Sequence, residues 1–186
     1  MHMISPKDIL DFWYAEEMRS MRSKWFASTP QLDALIKERF EPVWEAAMRG
    51  ELDDWLSHPD GCLALAIILD QLPLNMFRGT AQSFASEAKS RDAARHAIEQ
   101  GYDKEIDPSR LAFLYMPFMH SESLADQDLS VTLFTAAGLE NNLRYARHHR
   151  ELVRRFGRFP HRNAILGRAS TPQELDYLNS KEAFKG

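Results

Sequence analysis

The segment CLALAIIL (residues 62–69) is apolar at every position, and the polar pair Asp70 and Gln71 follows it directly. A helix that is apolar on all sides has to be buried on all sides, so this segment predicts the central helix of a core. A second run, LAFLYMPFM (residues 111–119), has the same character and also ends in polar residues. These two runs predict a helical protein built around buried helices.

Helix starts on either side of these runs are marked by a capping residue followed by proline. The last of them, TPQE (residues 171–174), is also a capping box. No alternating β-branched run and no Asn-Gly turn predicts a strand. Four such starts, spread along the chain, indicate that helix is the dominant element: Ser5-Pro6, Thr29-Pro30, Asp107-Pro108 and Thr171-Pro172.

We therefore predict an all-α, single-domain bundle of about eight or nine antiparallel helices that spans residues 1–186. Pro42 and Pro117 should kink or divide their helices. Four glycines stand where helix C-caps are expected, at positions 50, 101, 138 and 157. The predicted helices lie near 6–18, 30–49, 51–57, 61–72, 81–100, 108–119, 123–137, 139–156 and 172–179.

The composition limits the class of protein. Of 186 residues, 44% are hydrophobic, enough for one core, and the net charge is −4. The single cysteine, Cys62, excludes an intrachain disulfide and is expected to be a buried, inert thiol. There is no signal-peptide pattern and no apolar run of about 18 residues, so we expect a soluble cytoplasmic protein without a membrane span. The four tryptophans, at 13, 25, 44 and 55, are expected mainly in the core.

Positive charge is concentrated near the end of the sequence. Between residues 141 and 168 there are eight arginines, no lysine and one acid, Glu151, whereas the other residues carry 15 basic and 26 acidic side chains. Arginine favours bidentate pairing with carboxylate or phosphate and stacking on aromatic rings. The alternative for about half of these residues is a solvated helix face.

The polar ending of the first buried helix is one candidate site. A carboxylate at the end of a helix faces the negative pole of the helix dipole and needs a cation or a donor. We expect Arg78 as a local partner for Asp70, or one of the C-terminal arginines as a distant one. The alternative is that Asp70 and Gln71 only tie down the loop that follows. The candidate ligand-binding residues here are Asp70, Gln71, Asn75 and Arg78.

The ending of the second buried helix holds His120 and Glu122. A histidine next to a carboxylate can transfer protons, so both are catalytic candidates. The alternative is a satisfied histidine beside a helix cap. No metal-ligand spacing and no cofactor motif accompanies them, so we expect neither a metal nor a cofactor.

The third candidate is the stretch RRFGRFPHRNAILGR (residues 154–168) with the helix before it. His149 and Asn142 fall inside the apolar arc of that helix. After Gly157, a short loop projects guanidinium and imidazole groups that suit phosphate or carboxylate. The alternative is internal ion pairing with Asp70, Glu122 or Asp126. The candidates are His149 and His161 for catalysis, and Arg158, Arg162 and Asn163 for ligand binding.

Three stretches, LALAIILDQLPLNMFRGTAQSF, LAFLYMPFMHSESLADQ and HRELVRRFGRFPHRNAILGRASTPQELDYL, resemble the bacterial Domain of Unknown Function 924 family from about Ile9 to Leu178. The resemblance implies a tetratricopeptide-like helical fold and no established activity. The family pattern has Phe-Pro-Arg-Asn after LDQ, where this chain has Leu-Pro-Leu-Asn. Leu74 therefore removes a positive charge that a binding role at that position would use.

The leading hypothesis is that the three polar endings converge on one Arg- and His-lined pocket that binds a small anionic molecule carrying phosphate or carboxylate. Enzymatic activity is left open, because no nucleophile or metal motif specifies a reaction. The alternative is a protein-interaction scaffold that binds a peptide in a helical-repeat groove. Nucleic acid ranks third, because the chain is acidic overall and lacks a recognition motif. A homodimer through an exposed helix face is also left open.

Overall fold

A computed structural model describes residues 4–23 and 28–184 of the chain. The regular structure of these residues is entirely helical, which confirms the all-α prediction. Short 3₁₀ turns separate several of the helices, at Asp53–Ser57, Ala81–Phe84, Tyr102–Lys104 and Pro160–Arg162. The α-helices are α1 (Pro6–Tyr14), α2 (Glu16–Ser23), α3 (Pro30–Met48), α4 (Pro59–Asp70), α5 (Leu72–Met76), α6 (Glu87–Glu99), α7 (Leu111–Met119), α8 (Leu124–Ala136), α9 (Glu140–Phe156) and α10 (Pro172–Leu178).

Three of the four predicted helix starts have the expected cap. Ser5 and Thr171 form capping boxes, and the side chain of Thr29 accepts the backbone N–H of Leu32. The fourth start differs, because α7 begins only at Leu111. The Asp107 carboxylate instead accepts the backbone N–H of Ser109 at 2.8 Å, which satisfies a local turn before the helix begins.

Two of the predicted helices are interrupted in the structure, whereas the two helices that contain an internal proline continue through it. The helix expected over 6–18 breaks at Ala15, where φ is −57° and ψ is 149°, and the helix expected over 81–100 opens as a 3₁₀ turn. Pro42 and Pro117 lie inside α3 and α7, which continue through them. Gly157 ends α9 with a φ of 72°, a left-handed conformation that glycine adopts without a steric cost.

The chain divides into two compact units. The first runs to Arg78 and also includes Gln82–Pro117, and the second holds Gly79–Ala81 and the residues from Phe118 onward. The assignment of residues 1–186 to a single domain stays a prediction.

In the first unit α4 is buried from Gly61 to Asp70 and packs on α1, α3 and α6, as its apolar sequence predicts. Cys62 is fully buried, and burial raises the pKa of its thiol to about 11, consistent with an inert thiol. Trp13 and Trp44 lie in this core, whereas Trp25 lies outside the described residues. Gly61 has to be glycine, because a Cβ there would lie 2.0 Å from the backbone oxygen of Trp55.

In the second unit α8 and α9 form a helical hairpin closed at Gly138, which has a φ of 66°. The far end of α9 packs into an apolar cluster with the loop after it and α10. Its buried members are Leu152, Val153, Phe159 and Tyr177, and Phe156, Leu178, Ala183 and Phe184 pack against them partly buried. This cluster holds the loop 157–170 in place. In the described part of the chain, no helix is both long and apolar enough to cross a bilayer.

Candidate functional site

The end of α4 places two of the predicted residues in the interior of the first unit. Asp70 is 1% exposed, and the Gln71 Nε2 donates a hydrogen bond of 2.6 Å to its Oδ2. Gln71 Nε2 also lies 3.5 Å from the Met116 sulfur. One carboxylate oxygen of the buried Glu87 lies within 4.8 Å of one of Asp70. Two carboxylates do not by themselves define a metal site, because hard divalent cations take six or more oxygen ligands.

The other two candidates of this group bind a carboxylate of α3. Arg78 donates to both oxygens of Asp33, at 2.6 and 3.1 Å, and Asn75 Nδ2 donates to Oδ1 at 2.8 Å. Burial raises the pKa of Asp33, but these hydrogen bonds outweigh it, and the pKa lies below its ordinary value. Asn75 and Arg78 therefore fasten the segment after α4 to the start of α3.

In the second unit the loop after α9 is organised by a buried carboxylate, that of Glu174, which is 2% exposed. Arg158 donates to both of its oxygens, at 3.0 and 2.8 Å, and Asn163 Nδ2 donates to Oε2 at 2.9 Å. The backbone N–H of Thr171 completes the set at 3.0 Å. The hydrogen bonds from Arg158 are the largest cause that lowers the pKa of Glu174, to about 2.

A second carboxylate, Glu122, binds the same loop from the start of α8. Arg168 donates to both Glu122 oxygens, at 2.8 and 2.9 Å, and the backbone N–H of Phe159 donates to Oε1 at 2.8 Å. Arg168 Nε also donates to Asn163 Oδ1 at 3.0 Å, which joins the two carboxylates into one network. Burial raises the pKa of Glu122, but the bonds from Arg168 and Phe159 bring it below its ordinary value.

We call these five side chains the ion-pair network: Glu122, Arg158, Asn163, Arg168 and Glu174. It corresponds to the internal ion-pairing alternative: Arg168 pairs with Glu122, one of the acids expected from the sequence, whereas Arg158 pairs with Glu174, which was not among them. Glu122, a proton-transfer candidate from the sequence, is held as a carboxylate by Arg168, so its oxygens serve the network. Asn163, 1% exposed, uses both ends of its amide inside the network.

Beside the network the structure brings together the imidazoles of His120, His149 and His161, which we call the histidine cluster. His149, on α9, is 5% exposed, and its Nδ1 lies 2.8 Å from the backbone oxygen of Tyr145. That bond requires a proton on Nδ1, which leaves Nε2 with the lone pair in the neutral ring. The ring centroids of His149 and His120 are 6.4 Å apart.

Both His149 and His161 are held neutral. Burial is the largest cause that lowers the pKa of His149, to about 3, and the nearby His120 lowers it further. Burial also lowers the pKa of His161 to about 4, followed by the positive charge of Arg162, while Glu122 opposes this. The Nδ1 of His161 is buried and has no hydrogen-bond partner among the described residues.

Arg162, the last of the predicted ligand-binding residues, is 7% exposed and belongs to this part of the site. Its guanidinium lies over the ring of Phe159, 5.0 Å from the centroid, and Nη2 donates to the backbone oxygen of His120 at 3.2 Å. Phe159 lies between the histidines, with its centroid 5.4 Å from that of His149 and 5.6 Å from that of His161. Rings therefore form most of the walls around these imidazoles.

Sequence reasoning missed three contributors to this arrangement. Glu174 was identified only as a capping residue, and Arg168 only as one of many arginines, although each anchors one half of the network. Phe184, whose ring lies 4.8 Å from His149, carried no signal, because a lone aromatic residue after the last helix has no distinctive spacing. Each of the three acts through contacts that are distant in the sequence.

Comparisons with known proteins bear on the identity of the chain. A family model described as "Bacterial protein of unknown function (DUF924)" matches residues 9–182. A solved structure of a protein of unknown function, ATU0120 from Agrobacterium tumefaciens, is similar to this chain with 41% sequence identity and a TM-score of 0.85. The similarity covers 94% of this chain and 96% of that one. No match was found among curated proteins.

Proposed function

We propose that this chain, which belongs to the bacterial DUF924 family of proteins of unknown function, binds a small anionic molecule at the histidine cluster of its second unit. The ligand carries a phosphate or a carboxylate group. The observation that carries the proposal is the buried Nδ1 of His161, which has no hydrogen-bond partner among the described residues. A buried polar atom without a partner costs about 1–3 kcal/mol, and an anionic acceptor would remove that cost.

The electrostatics around His161 favour an anion there. Burial is the largest cause that lowers the pKa of the His161 imidazole; the charge of Arg162 is the next and that of Arg168 a smaller one, while Glu122 acts in the opposite direction. A positive potential that disfavours a protonated imidazole favours a negatively charged ligand at the same place. The neutral imidazole can donate one N–H, and the guanidinium of Arg162 lies over the ring of Phe159, which also contacts His161.

The pKa values favour binding over acid–base catalysis. A general base works best with a pKa close to the operating pH, whereas the pKa of His149 is about 3 and that of His161 about 4. At neutral pH both rings are neutral and only weakly basic. We therefore assign them first to ligand recognition and leave catalysis as the less favoured role.

The test is calorimetric titration with inorganic phosphate and with acetate, comparing His161→Leu with the unaltered chain. We expect at least about tenfold weaker binding, as lost charge-assisted hydrogen bonds cost about 1.5–3 kcal/mol. His161→Gln, which retains an N–H donor, should bind more tightly than His161→Leu. The matched control is Arg155→Met, because Arg155 is exposed and stacks on Phe156 in the same segment. Equal losses in the control and in His161→Leu, or no anion binding to the unaltered chain, would refute the proposal.

A tetratricopeptide-like peptide-binding scaffold is the second candidate. It is favoured by the antiparallel α8–α9 hairpin, which is closed by the short turn at Gly138. The outer face of α9 exposes four arginines that could hold an acidic peptide: Arg144, Arg147, Arg154 and Arg155. Fluorescence anisotropy with a labelled acidic peptide tests this role, and Arg144→Glu with Arg147→Glu should abolish binding. A cytoplasmic location, predicted from the sequence, accompanies both candidates.

A further inference from the structure

The segment after α10 returns to the histidine cluster and places a phenyl ring on it. The centroid of Phe184 lies 4.8 Å from that of His149 and 5.1 Å from that of His161, with interplanar angles of 64° and 81°. The ring of His148 is also near, at 6.4 Å. Phe184 is thus a partly buried aromatic ring in contact with three imidazoles.

The place that Phe184 fills has walls suited to a flat ring. His149 and His161 meet it edge to face, the geometry that aromatic pairs prefer at these distances. Phe159 contacts the same two imidazoles, at 5.4 and 5.6 Å, and so closes a third side. A space bounded by three planar groups selects a planar occupant over a branched aliphatic one.

The backbone around Phe184 is attached to the unit by few hydrogen bonds, and the ring is held mainly by apolar and aromatic contacts. Its segment, residues 180–184, contains no α-helix, and its backbone N–H donates one hydrogen bond of 2.8 Å to the Tyr177 hydroxyl. Ser180 and its neighbours add only local turn bonds to Tyr177. Phe184 is only partly buried where it packs against the apolar cluster, so part of its surface is already open to solvent.

The fit is also chemically incomplete. A phenyl ring offers an imidazole N–H at most a weak π acceptor, and the buried Nδ1 of His161 has no hydrogen-bond partner among the described residues while Phe184 lies against the same ring. An occupant with both an aromatic ring and an anionic group would match the ring walls and supply the missing acceptor. Arg162, over the Phe159 ring at 5.0 Å, provides positive charge close enough to His161 to lower the pKa of its imidazole, after burial.

We infer that Phe184 holds the position of a ligand's aromatic ring, and that the ligand is an arene carrying a carboxylate or phosphate group, which displaces Phe184 when it binds. This inference rests on the anion-binding function proposed above and specifies its ligand class. It makes residues 180–184 an intramolecular competitor, whose removal should strengthen the binding of aromatic anions only.

The test is calorimetric titration of the full chain and of Phe184→Ala with two probes, phenyl phosphate and inorganic phosphate. In Phe184→Ala the place of the phenyl ring is free, so the ring of phenyl phosphate can pack against His149 and His161 without displacing a side chain. We therefore expect this variant to bind phenyl phosphate about tenfold more tightly than the unaltered chain does. The affinity for inorganic phosphate, which has no aromatic ring to place where Phe184 lies, should change by less than about threefold. Phe156→Ala is the matched control, because Phe156 is also partly buried against the same apolar cluster and packs on Tyr177.

The outcomes separate this inference from the proposed function. If inorganic phosphate binds but phenyl phosphate binds no more tightly to Phe184→Ala, the inference is overturned and the anion site stands. If neither probe binds to any variant, the proposed function fails and the inference fails with it. Should Phe184→Ala not fold, Phe184→Leu keeps the apolar bulk without the planar ring. A gain in phenyl phosphate binding that is equal in Phe156→Ala would also overturn the inference.

Discussion

Two neighbouring parts of the second unit draw on the same loop and differ in how completely their polar atoms are satisfied. In the ion-pair network every carboxylate oxygen accepts hydrogen bonds, and both amide atoms of Asn163 are used. In the histidine cluster the contacts are mainly between rings, and the Nδ1 of His161 has no partner among the described residues. Arg158 and Arg162, four positions apart, thus enter different environments.

The difference shows that a concentration of arginines in a sequence can indicate internal ion pairs and not a ligand site. Arg158 and Arg168 each donate through two nitrogens to a carboxylate. Their charge is therefore neutralised inside the protein, and the ion pairs hold the loop 157–170 in place. The polar atom without a hydrogen-bond partner among the described residues belongs instead to His161, a histidine that lies among aromatic rings. The ion-pair network and the proposed ligand site therefore lie side by side, and the network gives the loop of the proposed site a fixed backbone.

Removing the Glu174 carboxylate from the ion-pair network should cause the largest loss of stability among these predictions. Glu174→Ala leaves Arg158 and the buried Asn163 without their acceptor, and breaking a buried pair costs about 3–5 kcal/mol. Because the side chain of Arg158 is 27% exposed, we expect about 3 kcal/mol, at the lower end. Urea unfolding measures the change in the free energy of unfolding.

Glu151→Ala is the control for Glu174→Ala, because Glu151 pairs with Arg154 and both side chains of that ion pair are exposed to solvent. Exposed pairs of this kind contribute about 0–1 kcal/mol. Similar losses in the two variants would mean that the network is no more than a set of surface ion pairs.

The histidine cluster should respond to pH, with an intermediate effect. The pKa of His149 is about 3 in the folded chain, against an ordinary value of 6.5. Below pH 6.5 the unfolded chain therefore binds a proton that the folded chain does not, so the free energy of unfolding falls as the pH decreases. From pH 7 to pH 5 this single group predicts a loss of about 2 kcal/mol, and His161 acts in the same direction.

Urea unfolding at both pH values, for the unaltered chain and for His149→Leu, isolates this contribution. The variant should lose less stability between pH 7 and pH 5 than the unaltered chain. Glu174 should not contribute in this range, because its stabilisation is complete above its ordinary pKa of 4.5 and is lost only as the pH falls toward about 2. Identical pH dependence in the two proteins would show that His149 is not held neutral by burial.

The smallest expected effect comes from Arg168→Lys. Lysine keeps the charge beside Glu122 but replaces a planar fork with a single ammonium group, so bidentate pairing is lost. We expect a loss of about 1 kcal/mol, the typical net value of one hydrogen bond. A loss as large as that of Glu174→Ala would mean that the Glu122 half, and not the Glu174 half, is the stronger part of the network.

Much of the fold could be predicted from local chemistry. Ser5, Thr29 and Thr171 cap helices as their side chains and the following prolines indicate, and Gly157 ends α9 as a left-handed residue. The exceptions have tertiary or turn-level causes: α1 breaks at Ala15, and Asp107 closes a turn before α7 begins. The candidate site was predictable only in its residue types, since His149, His161 and Arg162 were identified but Phe184 was not.

The sequence by itself determined the all-helical class, the buried character of α4 and the concentration of arginine near the end, because capping, apolar periodicity and composition act over a few residues. Only the tertiary structure decided which arginines meet carboxylates and which imidazoles lie among rings. Those outcomes depend on contacts such as Glu122 with Arg168 and Phe184 with His149, which join residues 46 and 35 positions apart. Side-chain charge is set by residue type, but whether that charge is neutralised is set by what packing brings beside it.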